Sequence, residues 1–411
     1  MRAEIVAVGT ELLLGQIANT NAQRISEALA RAGVDVYFHT TVGDNLLRMT
    51  GVISTALGRS DAVIVTGGLG PTPDDITREA VAAAAGRALA RDECLVDAIR
   101  GVFERLGRRS MPEANLRQAD LPEGASPIEP EGTAPGFVLR HGGTTLFALP
   151  GVPWEMQAML DKTVLPQLRA ASGGAPIVSS EVLVVGVGES HVDETISDIV
   201  DAQTNPTIAF LAGGGRVRVR ITAKAATEAE AAALIEPVEE SVRARLGVNA
   251  VGRGHGSVAA EVGELLRQQG ATLAVAESLT GGGIGAEVTR LAGASDFFLG
   301  SLVAYSDRAK TAVAGIDPAL IEEHGTVSEE VAAALARAAA ERFGADLGIS
   351  ATGVAGPGDH EGKPPGTVFV GAWLRGRSEV RKPRAYGDRG HIREIAGTWA
   401  LDLGRRLLLR R

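Results

Sequence analysis

Ser278 is followed by Leu279-Thr280-Gly281-Gly282-Gly283 and preceded by the apolar run 271–275, so a hydroxyl sits where a strand should turn into a glycine-rich helix start. Such a turn presents a nucleophile together with unpaired backbone N–H groups. Serine attacks a carbonyl carbon only if a base takes its proton, and lysine can serve when burial lowers its pKa. The chain has 41 Lys+Arg, of which only Lys162, Lys224, Lys310, Lys363 and Lys382 are lysine. Where arginine is the default, a retained lysine can mark a place that needs a group able to deprotonate. Lys310 lies just beyond Val303-Ala304-Tyr305-Ser306-Asp307, the end of a predicted strand, which brings Tyr305 close to it in sequence.

Two further segments complete the pattern. Ala351-Thr352-Gly353-Val354-Ala355-Gly356-Pro357-Gly358 is a second strand followed by a turn of hydroxyls and glycines. Arg389, in Tyr386-Gly387-Asp388-Arg389, opens the last helical stretch and adds a fixed positive charge suited to a substrate phosphate. The chemistry this implies is acyl transfer by a Ser–Lys pair, with Thr280, Gly281, Gly282 and Gly283 offering N–H groups to an oxyanion or a phosphate. Thr352, Gly353 and Gly356 join Arg389 as substrate-binding candidates. Taken singly, each piece has an ordinary explanation. Ser278 or Thr280 can cap a helix, the 353–356 segment can be a tight turn, and Lys310 can be solvated.

These residues need a scaffold that brings strand ends together. The first segment, to about residue 168, alternates strand-like runs (5–9, 34–41, 62–66, 145–149) with helical patterns (21–32, 46–57, 77–85). That alternation predicts an α/β fold with a largely parallel sheet covered by helices on both faces. Ala170-Ala171-Ser172-Gly173-Gly174-Ala175-Pro176 reads as a linker. A small α+β segment follows, strand–helix–strand–strand–helix over about 177–246, with Gly213-Gly214-Gly215 as a hairpin turn. After a second linker at 252–256, the third segment again alternates and closes with a helix from about 389 to 409. The expected domains are 1–170, 177–250 and 257–411. In open α/β sheets the loops at the carboxyl ends of the strands form the ligand crevice, which is where Ser278, Tyr305 and Thr352 fall.

The first segment carries its own candidates. Thr66-Gly67-Gly68-Leu69-Gly70 would let a loop approach a phosphate, and Asp74 and Asp75 could hold a hard divalent cation through oxygen. Thr72 as a helix cap with Pro73 at the first helical position accounts for the proline and the acids, but not for the three glycines. Gly9-Thr10-Glu11, Asn19, Gly43-Asp44-Asn45 and Trp154-Glu155 place further carboxylates and amides near strand ends.

Composition sets the outer limits. At 411 residues the chain is too long for one ordinary domain. The single cysteine, Cys94, excludes a disulfide framework and a cysteine-based zinc site, and the seven histidines are scattered without metal spacing. No apolar run reaches a membrane span, Met1-Arg2-Ala3-Glu4 leads straight into a strand-like run, and a cytoplasmic protein without a secretory leader is expected. A net charge of −9 counts against nucleic acid as a partner.

Ala276-Glu277-Ser278-Leu279-Thr280-Gly281-Gly282, Ala304-Tyr305-Ser306-Asp307 with Lys310, and Ala351-Thr352-Gly353-Val354-Ala355-Gly356-Pro357-Gly358 resemble the C-terminal domain of the competence/damage-inducible protein A (CinA) family. The resemblance implies deamidation of nicotinamide mononucleotide to nicotinic acid mononucleotide and ammonia, without a cofactor. By position, Ser278 matches the family's proposed nucleophile and Lys310 its proposed base, while Tyr305, Ser295 and Thr352 match polar site positions. The loops of the first segment resemble the family's N-terminal molybdopterin-binding-like domain, which implies metal-dependent cleavage of ADP-ribose. Asp44 and Asp75 match acidic site positions there, with Glu11, Asn19 and Glu155 as further candidates for the metal and its ligand. The leading expectation is a bifunctional pyridine-nucleotide recycling enzyme, a homodimer with small nucleotides as partners. The alternatives are a pterin-binding protein and a non-catalytic DNA-uptake factor.

Overall fold

The computed structural model describes residues 1–108, 110–172 and 175–410, which form two compact units: Met1–Val178 with Ala223–Ala233, and Ser179–Thr222 with Leu234–Arg411. Gly173 and Gly174 of the expected linker lie outside the described residues.

The first unit contains β1 (Arg2–Val8), β2 (Asp35–Val42), β3 (Ala62–Thr66), β4 (Leu89–Arg91), β5 (Asp120–Pro122), β6 (Ser126–Ile128), β7 (Gly136–His141) and β8 (Thr144–Leu149). Six strands make one sheet, ordered β2-β1-β3-β8-β7-β6, and β4 pairs with β5 separately. The four strands expected from the sequence run parallel, while β7 and β6 add an antiparallel edge. Side-chain alternation divides the core into two layers. Ile5, Ile64 and Phe147 pack with Ile25, Leu29, Met156 and Met159 on one face. Val6, Val63 and Val65 pack with Met49, Ile53, Val81 and Ile99 on the other. The result is the doubly covered sheet that the alternating pattern calls for.

The middle strands are β9 (Ile177–Val185), β10 (Thr207–Gly213) and β11 (Arg216–Lys224), ordered β10-β11-β9. Gly213 pairs with Arg216, so Gly214 and Gly215 form a two-residue hairpin turn. Their φ values of +59° and +75° are what a type I′ turn demands, which glycine meets without strain.

The C-terminal sheet is β13-β12-β14-β15-β16, with β12 (Leu273–Glu277), β13 (Phe298–Val303), β14 (Leu347–Gly353), β15 (Val368–Leu374) and β16 (Arg377–Arg381). β12, β13 and β14 are parallel; β15 and β16 complete the sheet antiparallel. Helix Glu329–Phe343 covers one face and helices Val258–Gln269 and Arg389–Leu409 the other. The last turns of helix Arg389–Leu409 are buried on every side, and they carry charge into the interior. Asp402 accepts from Arg405 (2.7 Å) and Arg406 (2.6 Å). Arg405 also reaches Glu261 (3.2 Å) and the carbonyl of Val248. Arg406 reaches the Val185 carbonyl (3.1 Å) and Asn249 Oδ1 (2.8 Å). This network ties the final helix to the middle strands.

Candidate active site

Because β12, β13 and β14 run parallel, their carboxyl ends share one edge of the sheet. Ser278 follows β12, Tyr305 lies just past β13, and Gly353 ends β14. The structure brings Ser278, Tyr305, Lys310, Gly353, Gly356 and Arg389 to one cavity of about 560 Å³, a size typical of a small-molecule site. Ser306, Thr326, Asp359 and His360, which sequence reasoning missed, line it as well.

Lys310 is held by the short helix Asp307–Ala312, capped by the Ser306 side chain on the Ala309 N–H (3.2 Å). Lys310 is only 3% exposed. Burial pulls its ammonium below the usual lysine range, and the negative charges of Asp307 and Glu361 pull back upward. Glu361 is another residue with no sequence signal. Burial pushes its carboxyl up, but hydrogen bonds from the Thr326 backbone and hydroxyl and from the Val327 N–H hold it below the usual range. Arg389 spans the mouth. It donates to Tyr305 Oη (2.6 Å) and to the Gly356 carbonyl (2.8 Å), so three of the expected residues are linked directly.

The glycine turn is built differently from the expectation. Gly281 and Gly282 have φ of +58° and +96°, which lets the chain reverse tightly after Ser278. The N–H groups so exposed are already taken. Glu277, fully buried, accepts from the N–H of Gly282 (2.9 Å), Ile284 (3.0 Å) and Gly285 (2.9 Å) and from Ser301 Oγ (2.9 Å). The Gly281 N–H goes to the Ser278 carbonyl and that of Gly283 to the Thr280 carbonyl. Gly281 and Gly282 therefore do not cradle a substrate anion. Among the described residues that line the cavity, the N–H groups of Leu279, Ala355, Gly356 and Gly358 make no hydrogen bond, and these are among the donors left for an oxyanion or phosphate.

Two other candidates move. Thr352 is fully buried and donates to the Thr326 carbonyl (2.8 Å), so it braces the cavity wall and does not line it. Strand parity explains this: Ser350 and Thr352 point to the same side, toward helix Glu329–Phe343 and its approach. Ser295 is exposed in the turn before β13, at the strand end opposite Ser278, roughly 15–20 Å away along a five-residue strand, and is no part of this chain's cavity.

The N-terminal candidates do not converge as fully. Glu11, Asn19 and Thr66 line a small cavity of about 130 Å³ with Asn21 and Gly151. Asn19 also caps helix Thr20–Arg31 by accepting from the Ala22 N–H (3.1 Å). Thr66 donates to the Pro150 carbonyl (3.0 Å). Asp44 and Asp75 lie outside this cavity, each bonded locally. Asp44 accepts from the N–H (2.9 Å) and hydroxyl (2.8 Å) of Thr10. Asp75 accepts from the N–H (2.9 Å) and hydroxyl of Thr72. Glu155 is buried, which raises its pKa, and its only offset is a bond from Thr133. Among the described residues no three His, Cys, Asp or Glu side chains come together to hold a metal, so Asp75, Asp44, Glu11 and Glu155 do not form one cage.

The helix after Gly70 starts where the pattern over 77–85 places it, so Thr72 is not its cap and Pro73 is not its first residue. Thr72 and Asp75 close a turn, and the helix begins at Thr77. Gly67 and Gly68 are held by Thr77, whose hydroxyl donates to the Gly67 carbonyl (2.8 Å). Arg78, 1% exposed, ties down the rest by donating to the carbonyls of Leu69 (2.7 Å) and Gly70 (2.9 Å). An arginine inside a helical pattern gave no sign of that role.

Comparison with known proteins fits this geometry. The CinA C-terminal domain matches residues 255–408, the damage-inducible protein CinA KH domain residues 179–252, and a probable molybdopterin binding domain residues 4–170. A CinA-like protein of Frankia casuarinae is 46% identical, covering 99% of this chain and 96% of its own. A CinA-like protein of Dictyoglomus thermophilum is 44% identical over the full length of both chains. Among solved structures, the competence damage-inducible protein A of Klebsiella pneumoniae is 31% identical, spanning 37% of this chain and 96% of that one, with a TM-score of 0.37. With all three domains matched and relatives of 44–46% identity over the full length, the chain belongs to the CinA family.

Proposed function

We propose that the C-terminal cavity hydrolyses the carboxamide of nicotinamide mononucleotide. The observation that carries this reading is that Ser278 and a buried Lys310 with a lowered pKa line one cavity. Lys310 takes the Ser278 proton as Oγ attacks the carboxamide carbon. The oxyanion is met by the free N–H of Leu279, which lines the cavity beside Ser278. Lys310 returns the proton as the C–N bond breaks and ammonia leaves, and water then cleaves the acyl-serine ester to the carboxylate. Arg389 stands at the mouth for the phosphate.

The acid limb of such a reaction reports the base. Lys310 must be neutral, so activity rises with pH through its lowered pKa. Asp307 raises that pKa. Asp307→Asn should therefore move the acid limb of kcat/KM to lower pH. An unmoved limb would argue against Lys310 as the base.

For the N-terminal unit we propose cleavage of the ADP-ribose diphosphate. With no protein cage for a cation among the described residues, a divalent ion would be carried largely by the substrate's phosphates, as Mg²⁺ commonly is, with a carboxylate such as Asp75 as its protein contact. Asp75→Asn is expected to lower divalent-dependent AMP release from ADP-ribose by about tenfold or more, the scale of losing one ligand-shell group. Unchanged release would remove Asp75 from the site. The match to a molybdopterin binding domain over residues 4–170 favours pterin binding as a second reading. Saturable pterin binding without ADP-ribose turnover would decide for it.

A further inference from the structure

A second cavity of about 390 Å³, lined in part by Thr280 and Gly283 of the same turn, shares no lining residue with the catalytic cavity. Its walls come from β11 (Arg216), the end of helix Gly283–Thr289 (Arg290) and the first half of helix Arg389–Leu409 (Arg393). Val258, Ile284 and Leu401 supply apolar surface. Neither acyl transfer nor the helix packing explains three guanidinium groups from three separate elements around one space.

The charges are not balanced. Arg216 pairs with Glu394 (2.9 Å) and Arg290 with Glu287 (3.5 Å), and all four residues line the cavity. Arg393 has no carboxylate partner among the described residues. It donates instead to the carbonyls of Leu279 (3.0 Å) and Thr280 (2.7 Å). Three arginines against two glutamates leave one positive charge in excess. Thr280, 2% exposed, also lines this cavity, and its hydroxyl has no hydrogen-bond partner, a costly state for a buried polar group.

We propose that this cavity binds a phosphate monoester of mononucleotide size, with the phosphate on the arginines and the organic body on Val258, Ile284 and Leu401. Guanidinium forks suit phosphate oxygens. Arg393 couples the two cavities, because the same side chain that would meet the ligand clasps the two carbonyls after Ser278. An occupant competes for Arg393 and shifts the catalytic turn, so it changes kcat and not only KM. The binding claim stands alone; the effect on rate rests on the deamidase reading.

The test uses the full chain and its Arg216→Ala/Arg290→Ala double variant. Both side chains are outside the catalytic cavity, and Arg290 is 79% exposed, so the fold should tolerate the change. Calorimetric titration with AMP should show a binding component weakened at least tenfold in the variant, while adenosine, lacking the anion, shows no such component. At saturating nicotinamide mononucleotide, AMP should change the kcat of the wild type and leave that of the variant unmoved. Identical AMP isotherms for the two proteins would overturn the site. A variant-sensitive isotherm with no deamidation in either protein would keep the site and reject the deamidase reading. A purely competitive AMP effect on KM, equal in both proteins, would reject the coupling.

Discussion

Ser278→Ala is expected to lower ammonia release from nicotinamide mononucleotide by on the order of 10⁴-fold or more, with secondary structure and thermal midpoint unchanged. Lys310→Met should have an effect of similar size. The double variant should be little worse than either alone, because a nucleophile and its base act as one unit. The expectation that the fold survives has a structural basis. Among the described residues neither Ser278 Oγ nor Lys310 Nζ makes a hydrogen bond, to each other or to another protein atom, so neither replacement orphans a buried partner. The Ser278 backbone, which does bond to the Ala351 carbonyl, is retained in alanine. Removing a buried lysine that carries a desolvation penalty should leave stability equal or slightly raised. Wild-type ammonia release from the Ser278→Ala protein would sink the nucleophile assignment, and coupled assay of ammonia with the acid product measures it directly.

Asp402→Asn should be the most destabilising single change in the second unit. Asp402 is the carboxylate that both Arg405 and Arg406 share, and the side chains of all three are at most 6% exposed. Asparagine keeps the shape but leaves the two guanidinium groups with only Glu261 as a charged partner. Breaking a buried ion pair in this way costs about 3–5 kcal/mol. For a unit of this size that is a drop on the order of 10 °C in the calorimetric transition. Replacing Asp402, Arg405 and Arg406 together by leucine, methionine and leucine should recover most of the loss, since apolar groups of similar volume remove the desolvation cost along with the attraction. A triple variant as unstable as Asp402→Asn would mean that the carbonyls of Val185 and Val248, that of Ala250 (3.4 Å from Arg405) and the Asn249 side chain depend on the arginines for satisfaction.

What the sequence made legible follows from where the information is local. Apolar runs bounded by glycine mark β1, β3, β8, β12 and β14, and an uninterrupted pattern marks helix Arg389–Leu409 at its observed ends. The antiparallel edge β7-β6 was not legible: β6 has three residues and includes Pro127. Lys310 stood out because it is rare in kind. Thr352 was legible in principle, since its parity with Ser350 sets its direction, but a hydroxyl beside a glycine turn suggests ligand more readily than bracing. Ser295 rested on motif correspondence alone, and strand direction puts it at the wrong end. Asp359 and His360 reach the cavity from a loop with no periodicity, about 50 residues past Lys310, with Glu361 beside them acting on Lys310 through its charge, and no spacing rule predicts such a return. The carboxylates of the first unit failed for the same reason: proximity to strand ends does not fix mutual distance.

The Glu277 carboxylate changes what kind of object the glycine turn is. With four donors on its two oxygens, it is an internal anion, supplied by the chain and permanently seated where a phosphate loop would receive a guest. Such a turn carries the composition of a phosphate loop and the opposite behaviour. Its glycine N–H groups should ignore sulfate and phosphate, and the turn should stay ordered without substrate and keep Ser278 at a fixed position before any ligand arrives. A glutamate immediately before a Ser-x-x-Gly-Gly turn is thus a sign of self-occupancy, and the substrate's own charge has to be met elsewhere on the rim.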